Sequence, residues 1–189
     1  KAPFFEAEKE AAFYGPKIDI QMKNFAGKED TAFTVQYDFV MPKRFELSYI
    51  DEKGKKPAAI VIHRSSIARI ERVMAFLIEH FAGALPLWLS PVQVVILPIG
   101  EKQDAYAREI FETLKKENIR VEIPEANETL GKRIREAEMQ KTPYILVVGD
   151  KEMGNKTVNV RHYRRGQEGE IEAEKLIEKI KEEIKDKII

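Results

Sequence analysis

Two runs, PVQVVILPI over residues 91–99 and YILVV over 144–148, constrain this chain more than anything else in it. They are apolar on successive residues rather than alternate ones, so a strand made from either must be covered on both faces. Helical spacing lies around them. It marks Asp104–Lys116, with Ile110, Phe111 and Leu114 on one side, then Thr129–Met139, then Glu172–Lys187, with Ile177, Ile180, Ile184 and Ile188 inward. Arg120–Ile123 reads as a short strand, and Thr157–Tyr163 and the region near Glu170 as later edge strands. Dense strands alternating with helices predict a complete α/β domain over residues 92–189, with a partly parallel sheet.

The first part of the chain has another rhythm. Lys17–Lys23 alternates, with Ile18, Ile20 and Met22 on one side, and Phe33–Phe39 alternates more strongly around the turn Asn24–Asp30. Phe45–Ile50 and Pro57–His63 read as a third and fourth strand. A helix follows from about Ser66 to Phe81, capped by Ser65 or Ser66, with Ile67, Ile70, Met74, Leu77 and Phe81 as a buried stripe. Four strands and one helix leave a wide sheet with too little cover, so residues 1–84 read as the end of a larger domain. The segment 85–91, with Pro86, Pro91 and Trp88, is too apolar for a solvated linker and reads as a packed crossing between the domains.

Composition excludes several classes of function. With no cysteine there is no disulfide, thiolate catalysis or sulfur-ligated metal. No apolar run approaches the roughly 20 residues of a membrane helix, and the opening KAPFFEAEKE has no secretory pattern. The formal net charge is zero, which argues against a uniformly basic nucleic-acid binder. Residues 127–165 nevertheless hold nine basic side chains against five acidic ones, a local excess that can face a polyanion.

Several residues stand out chemically. Thr34, Gln36 and Asp38 form the polar face of a strand that is apolar on its other face, and they line either a cleft or a solvated surface. His63 and Arg64 end an apolar strand, and a lone imidazole there is a ligand or an ordinary histidine. Arg69 and Arg72 share one side of the following helix, where they hold an anion or pair with glutamates. In the second part, Lys132, Arg133, Arg135, Lys141, Lys151, Lys156, Arg161, Arg164 and Arg165 are candidate phosphate contacts. Asn127, Glu152 and Tyr163 are candidate base contacts, and the alternative is a solvated basic face. GDKEMGN lacks the spacing and the terminal GK[ST] of a P-loop.

The strings AAFYGPKIDI, TVQYDF, IHRSSIARIER, PVQVVILPI and NETLGKRIREAEMQKTPYILVVGDKEMG resemble, in order and spacing, the C-terminal part of threonyl-tRNA synthetases, class II aminoacyl-tRNA synthetases. The resemblance implies the fold: part of an antiparallel catalytic sheet, then an anticodon-binding domain with a five-stranded mixed sheet flanked by three helices. It implies cytoplasmic threonine–tRNA ligase activity, using ATP, Mg2+ and Zn2+, with threonine and threonine tRNA as partners and a homodimeric parent. Tyr14 and Lys17 then match the amino-acid pocket, Gln36 the adenylate end of the cleft, His63 one of three protein zinc ligands, and Arg72 the motif 3 arginine on the ATP phosphates. Asn127, Lys141, Glu152 and Arg161 match anticodon-reading positions.

Ala11, Ala32, Phe33, Ala68 and Arg69 depart from the family pattern near the cleft, and Phe33 narrows it. Motifs 1 and 2 and two zinc ligands have no counterpart in the 189 residues. The expectation is a polypeptide that binds the anticodon region but does not activate threonine alone. A catalytically silent, synthetase-like protein that binds RNA or another protein is the alternative.

Overall fold

A computed structural model describes residues 3–67, 69–125 and 127–189. The chain divides into two compact units, Lys1–His80 and Phe81–Ile189.

In the first unit, β1 (Lys17–Lys23), β2 (Glu29–Asp38) and β3 (Val61–Ser65) form an antiparallel sheet in the order β1-β2-β3. A short helix α1 (Met41–Arg44) follows β2, and α2 (Ile70–His80) follows β3. The expected strand Phe45–Ile50 does not form. The Asp38 carboxylate accepts the amides of Val40 and Met41 at 2.9 Å each, which turns the chain into α1. Pro42 tolerates that first turn, where no amide is needed. Glu46 then takes a left-handed conformation (φ 52°), and one bridge, Ser48 to Ala58, is all that remains of the pairing. The expected fourth strand moves along the chain to become β3.

Helix α2 also starts later than its spacing predicts. Ser65 is the last residue of β3, and Ala68 lies outside the described residues. Most of the predicted buried stripe is wet: Ile67, Ile70 and Met74 are 53%, 66% and 55% exposed, Leu77 and Phe81 are half-buried, and α2 buries no residue. Ile18, Ile20 and Ile62 on the sheet are likewise more than half exposed. Three strands supply too little apolar surface to cover one another and a helix. Ala32 and Pro42 are the buried apolar side chains of this unit among the described residues.

The second unit runs β4 (Val94–Pro98), a turn of 3₁₀ helix, α3 (Asp104–Lys116), β5 (Val121–Glu122), α4 (Leu130–Met139), β6 (Tyr144–Val148), α5 (Asp150–Asn155), β7 (Thr157–His162), β8 (Gly166–Glu172) and α6 (Ala173–Lys185). The sheet order is β5-β4-β6-β7-β8, with β4 parallel to β5 and β6 and the other pairs antiparallel. Val94 and Ile96 face one way, onto Ala107, Ile110 and Leu114 of α3 and Leu176, Ile177 and Ile180 of α6. Val95, Leu97 and Ile145 face the other way, onto Ala137, Ile134 and Leu130 of α4. This is why β4 and β6 are apolar at every position.

Strand β7 is not the edge strand its pattern suggests: it pairs with β6 on one side and β8 on the other. Its alternation of half-buried Asn159 and Arg161 with buried Val158 and Val160 shows that one face is less covered than the other, which is a different property from being the last strand. Helix α5 has no counterpart in the sequence reading.

Residues 85–91 are sewn into the second unit, where Leu87 joins the core. The buried side chain of Gln93 donates to the Leu87 carbonyl at 2.9 Å and accepts the Arg120 amide at 2.8 Å. The Arg120 guanidinium in turn holds the carbonyls of Ser90 and Trp88.

Candidate functional sites

Strand register builds the first site. Lys17 lies opposite Gln36 across β1 and β2, and Gln36 lies opposite His63 across β2 and β3. Directly paired residues point to the same face, so Lys17, Gln36 and His63 form one row across three strands. The Tyr14 hydroxyl donates to Gln36 Oε1 at 3.0 Å, and its ring stands edge-on to the His63 ring at 6.4 Å between centroids. Asp38, two residues along β2 from Gln36, adds a fifth member, with His63 Nε2 2.9 Å from its Oδ2. The next row holds Asp19, ion-paired to Lys17 at 2.6 Å and hydrogen-bonded by Thr34.

Tyr14 reaches the row because Gly15 lets the chain run close against β2. A Cβ at Gly15 would sit 2.2 Å from the Tyr37 carbonyl oxygen. Pro16 and Tyr14 offer their carbonyls to the amides of Tyr37 and Phe39. Sequence reasoning places Asp38 on the polar face and gives it no further role; its contribution emerges only from the fold. Burial acts to raise its pKa, but hydrogen bonds from His63 and the Met41 and Val40 amides outweigh that and hold the carboxyl below its ordinary value.

Arg72 is set apart from this row. Its guanidinium donates to the Thr31 carbonyl at 2.9 Å, and with Arg69 it lines a hollow of about 480 Å³ that also includes Asp30, Ala32 and Phe76. The Arg69 side chain holds no partner among the described residues, so that hollow, although Glu79 also lines it, offers guanidinium donors to an anion. Neither Gln36 nor His63 lines it.

The donor set decides the question of a metal. Among the described residues no group of three or more His, Cys, Asp or Glu side chains lies close enough to hold an ion. His63 Nε2 is engaged by Asp38. The side chains present therefore do not by themselves make a zinc site.

In the second unit the four candidate residues fall at two ends of the sheet. Glu152 sits in α5, just past the end of β6. Asn127 precedes α4, whose Arg133 reaches the carbonyl of Pro98 at the end of β4. Lys141 precedes β6, and Arg161 pairs with Ile145 near its start. All four are engaged. Asn127 donates to Glu125 at 2.7 Å, and Lys141 donates to the Ala82 carbonyl. Arg161 is paired with Glu138 at 2.5 Å. Glu152 Oε2 accepts the Gly149 amide at 3.0 Å, leaving Oε1 to accept from something else.

The basic excess is smaller on the surface than in the sequence. Arg133 is 4% exposed and no surface cation, and Arg165 is occupied by Tyr144, Glu168 and Glu183. Lys132 and Lys151 are paired with Glu128 and Glu170. Arg135 and Lys156 hold no side-chain partner among the described residues.

These two units have counterparts among known proteins. Residues 5–81 match the tRNA synthetase class II core domain (G, H, P, S and T), and residues 93–183 match an anticodon binding domain. The chain thus joins the end of a class II aminoacyl-tRNA synthetase core to an anticodon-binding domain. Over 184 residues, 97% of the chain, it is 50% identical to a threonine–tRNA ligase of Clostridium botulinum, and over 166 residues, 88% of the chain, 53% identical to that of Clostridium perfringens. The RNA binding domain of threonyl-tRNA synthetase from Cryptosporidium parvum, a crystal structure, superposes with a TM-score of 0.77 at 34% identity, covering 92% of this chain and 44% of that one. Within its class the chain belongs to the threonyl-tRNA synthetase family. It spans 29% and 26% of the length of the two ligases.

Proposed function

We propose that this chain supplies the anticodon-reading end of a cytoplasmic threonine–tRNA ligase, together with part of the pocket for threonine and ATP. By itself it binds threonine tRNA without charging it. In this reading Asn127, Lys141, Glu152 and Arg161 meet the anticodon. Splayed bases are read by amide, carboxylate and guanidinium groups, and residues at both ends of one sheet suit a loop of several nucleotides. Tyr14, Lys17, Gln36 and His63 take the amino acid and adenylate. The two guanidinium groups over the hollow fit a polyphosphate, and Arg72 would hold the ATP phosphates and offset their charge as pyrophosphate leaves. The observation that supports the reading most is that the anticodon-binding match, residues 93–183, falls on a sheet with a complete core of its own.

Fluorescence anisotropy with a labelled anticodon stem-loop of threonine tRNA tests the binding. Affinity falls about tenfold or more between low and physiological salt, because lysines and arginines displace phosphate counterions. Glu152→Gln keeps an acceptor for the Gly149 amide but presents an amide NH2 where the free carboxylate oxygen stood. Discrimination against a mismatched anticodon drops about tenfold, with little change for the mismatched loop itself. Equal losses on matched and mismatched loops overturn the base-reading role of Glu152. Pyrophosphate release above background with threonine and ATP overturns the claim that the chain does not charge alone.

A further inference from the structure

The His63–Asp38 pair carries one more step. The His63 side chain is 54% exposed, so packing does little to hold its ring. Its one hydrogen bond among the described residues goes to Asp38 Oδ2. Asp38 is the reverse: it is 2% exposed, and its Oδ1 accepts two backbone amides that start α1. One oxygen therefore anchors the carboxylate to the main chain, and the other is aimed at the imidazole. A carboxylate at neutral pH has no proton to give, so the ring nitrogen facing it has to be the donor.

We propose that Asp38 is the positioning residue of His63, fixing the ring in the tautomer that carries its proton on Nε2 and offers the Nδ1 lone pair to whatever enters the site. In an imidazole, the partner of one nitrogen decides what the other can do. The entering group is a hydrogen-bond donor, such as the amine or hydroxyl of an amino acid. That functional meaning rests on the proposed ligase reading, whereas the tautomer can be read without it.

The experiment is a long-range 1H–15N correlation spectrum of the full chain with 15N-labelled histidine, at mildly alkaline pH, above the range in which free imidazole titrates. The chain has three histidines, and His63→Gln assigns the signal by removing it. The expected spectrum shows His63 predominantly as the Nε2–H tautomer. In Asp38→Asn the amide oxygen keeps the Val40 and Met41 amides while its NH2 turns to the ring. Nε2 becomes the acceptor, and the dominant tautomer inverts to Nδ1–H. Tyr14→Phe leaves the tautomer unchanged, because that hydroxyl serves Gln36. A wild-type His63 found as Nδ1–H, or as an even mixture, overturns the proposal without any variant. So does an Asp38→Asn protein that keeps the β2–β3 amide shifts and the original tautomer. Loss of tRNA affinity or discrimination would instead bear on the ligase reading alone.

Discussion

His162 shows how far a residue's chemistry depends on neighbours that spacing does not reveal. From sequence it has no acidic or cysteine partner; in the fold its Nδ1 accepts the amides of Arg164 and Arg165 at 3.2 Å, and its ring stands edge-on to Tyr144 at 4.8 Å. Burial, then the cation of Arg165, opposed by Glu168 and joined by Lys179 and Arg164, brings its pKa from 6.5 down to about 4. The unfolded chain thus takes up a proton near pH 6.5 that the folded chain refuses until about pH 4. The stability from a neutral His162 is complete above the first value and lost as pH falls toward the second. Glu170, held down to about 2 first by Lys151 and then by Asn155 and Thr157, gives up its share only as pH falls from 4.5 toward that value, mostly below the histidine window. Urea unfolding followed by Trp88 fluorescence should show the wild type losing about 2 kcal/mol more than His162→Asn between about pH 7 and pH 4. Asparagine keeps the acceptor and removes the titration, so parallel losses in both proteins would assign the effect to carboxylates.

Elements were legible where one force acted alone. Helix α3 has the predicted bounds, and β6 fills its predicted run, because a core side and a wet side are written directly into the spacing of Ile110 and Leu114 and into an unbroken apolar string. Residues 45–50 misled because alternation there competes with local chemistry: the Asp38 cap, Pro42 and the left-handed Glu46 commit the chain to a turn. Helix α2 misled in another way, since its stripe is real as a pattern but has nothing to bury against in these residues. The row of candidate site residues was half legible. The alternation put Gln36 and Asp38 on one face, but only the register brings Lys17 and His63 beside them. These differences set a paired expectation. Leu146→Ala, at a side chain 1% exposed in β6, should cost about 3 kcal/mol in the unfolding of the second unit, by lost transfer and a cavity. Met74→Lys in α2 should change the melting of the first unit, read from β2 amide resonances, by less than about 0.5 kcal/mol, since that methionine already faces water. A comparable cost at Met74 would show that α2 packs against something in solution.

At the scale of the whole molecule, burial is divided very unevenly. The second unit has an apolar cluster on each face of its sheet, whereas the first buries two small apolar side chains, Ala32 and Pro42, among the described residues. That the first part needs more chain was visible in the sequence from its excess of strand over cover, and the relatives supply the scale, since this chain spans 29% of one ligase's length. The extent of the deficit was not visible, because it follows from a strand that never forms and a helix that stays wet. Local opening is governed by how much apolar contact must be undone. Hydrogen exchange in the intact chain should therefore protect the amides of β4 and β6 close to the limit of global unfolding. The amides of β2, although paired on both sides by β1 and β3, should exchange at least about a hundredfold faster, a gap of about 3 kcal/mol in opening free energy. A backbone ladder without a side-chain core is the main support β2 has in these residues, and hydrogen bonds alone contribute modestly when water is the alternative partner. Equal protection of β2 and β6 would mean that the exposed face of the first unit is covered in solution. Dilution would then tell a second copy of the chain from a rearrangement within one, because only an association loses its protection as concentration falls.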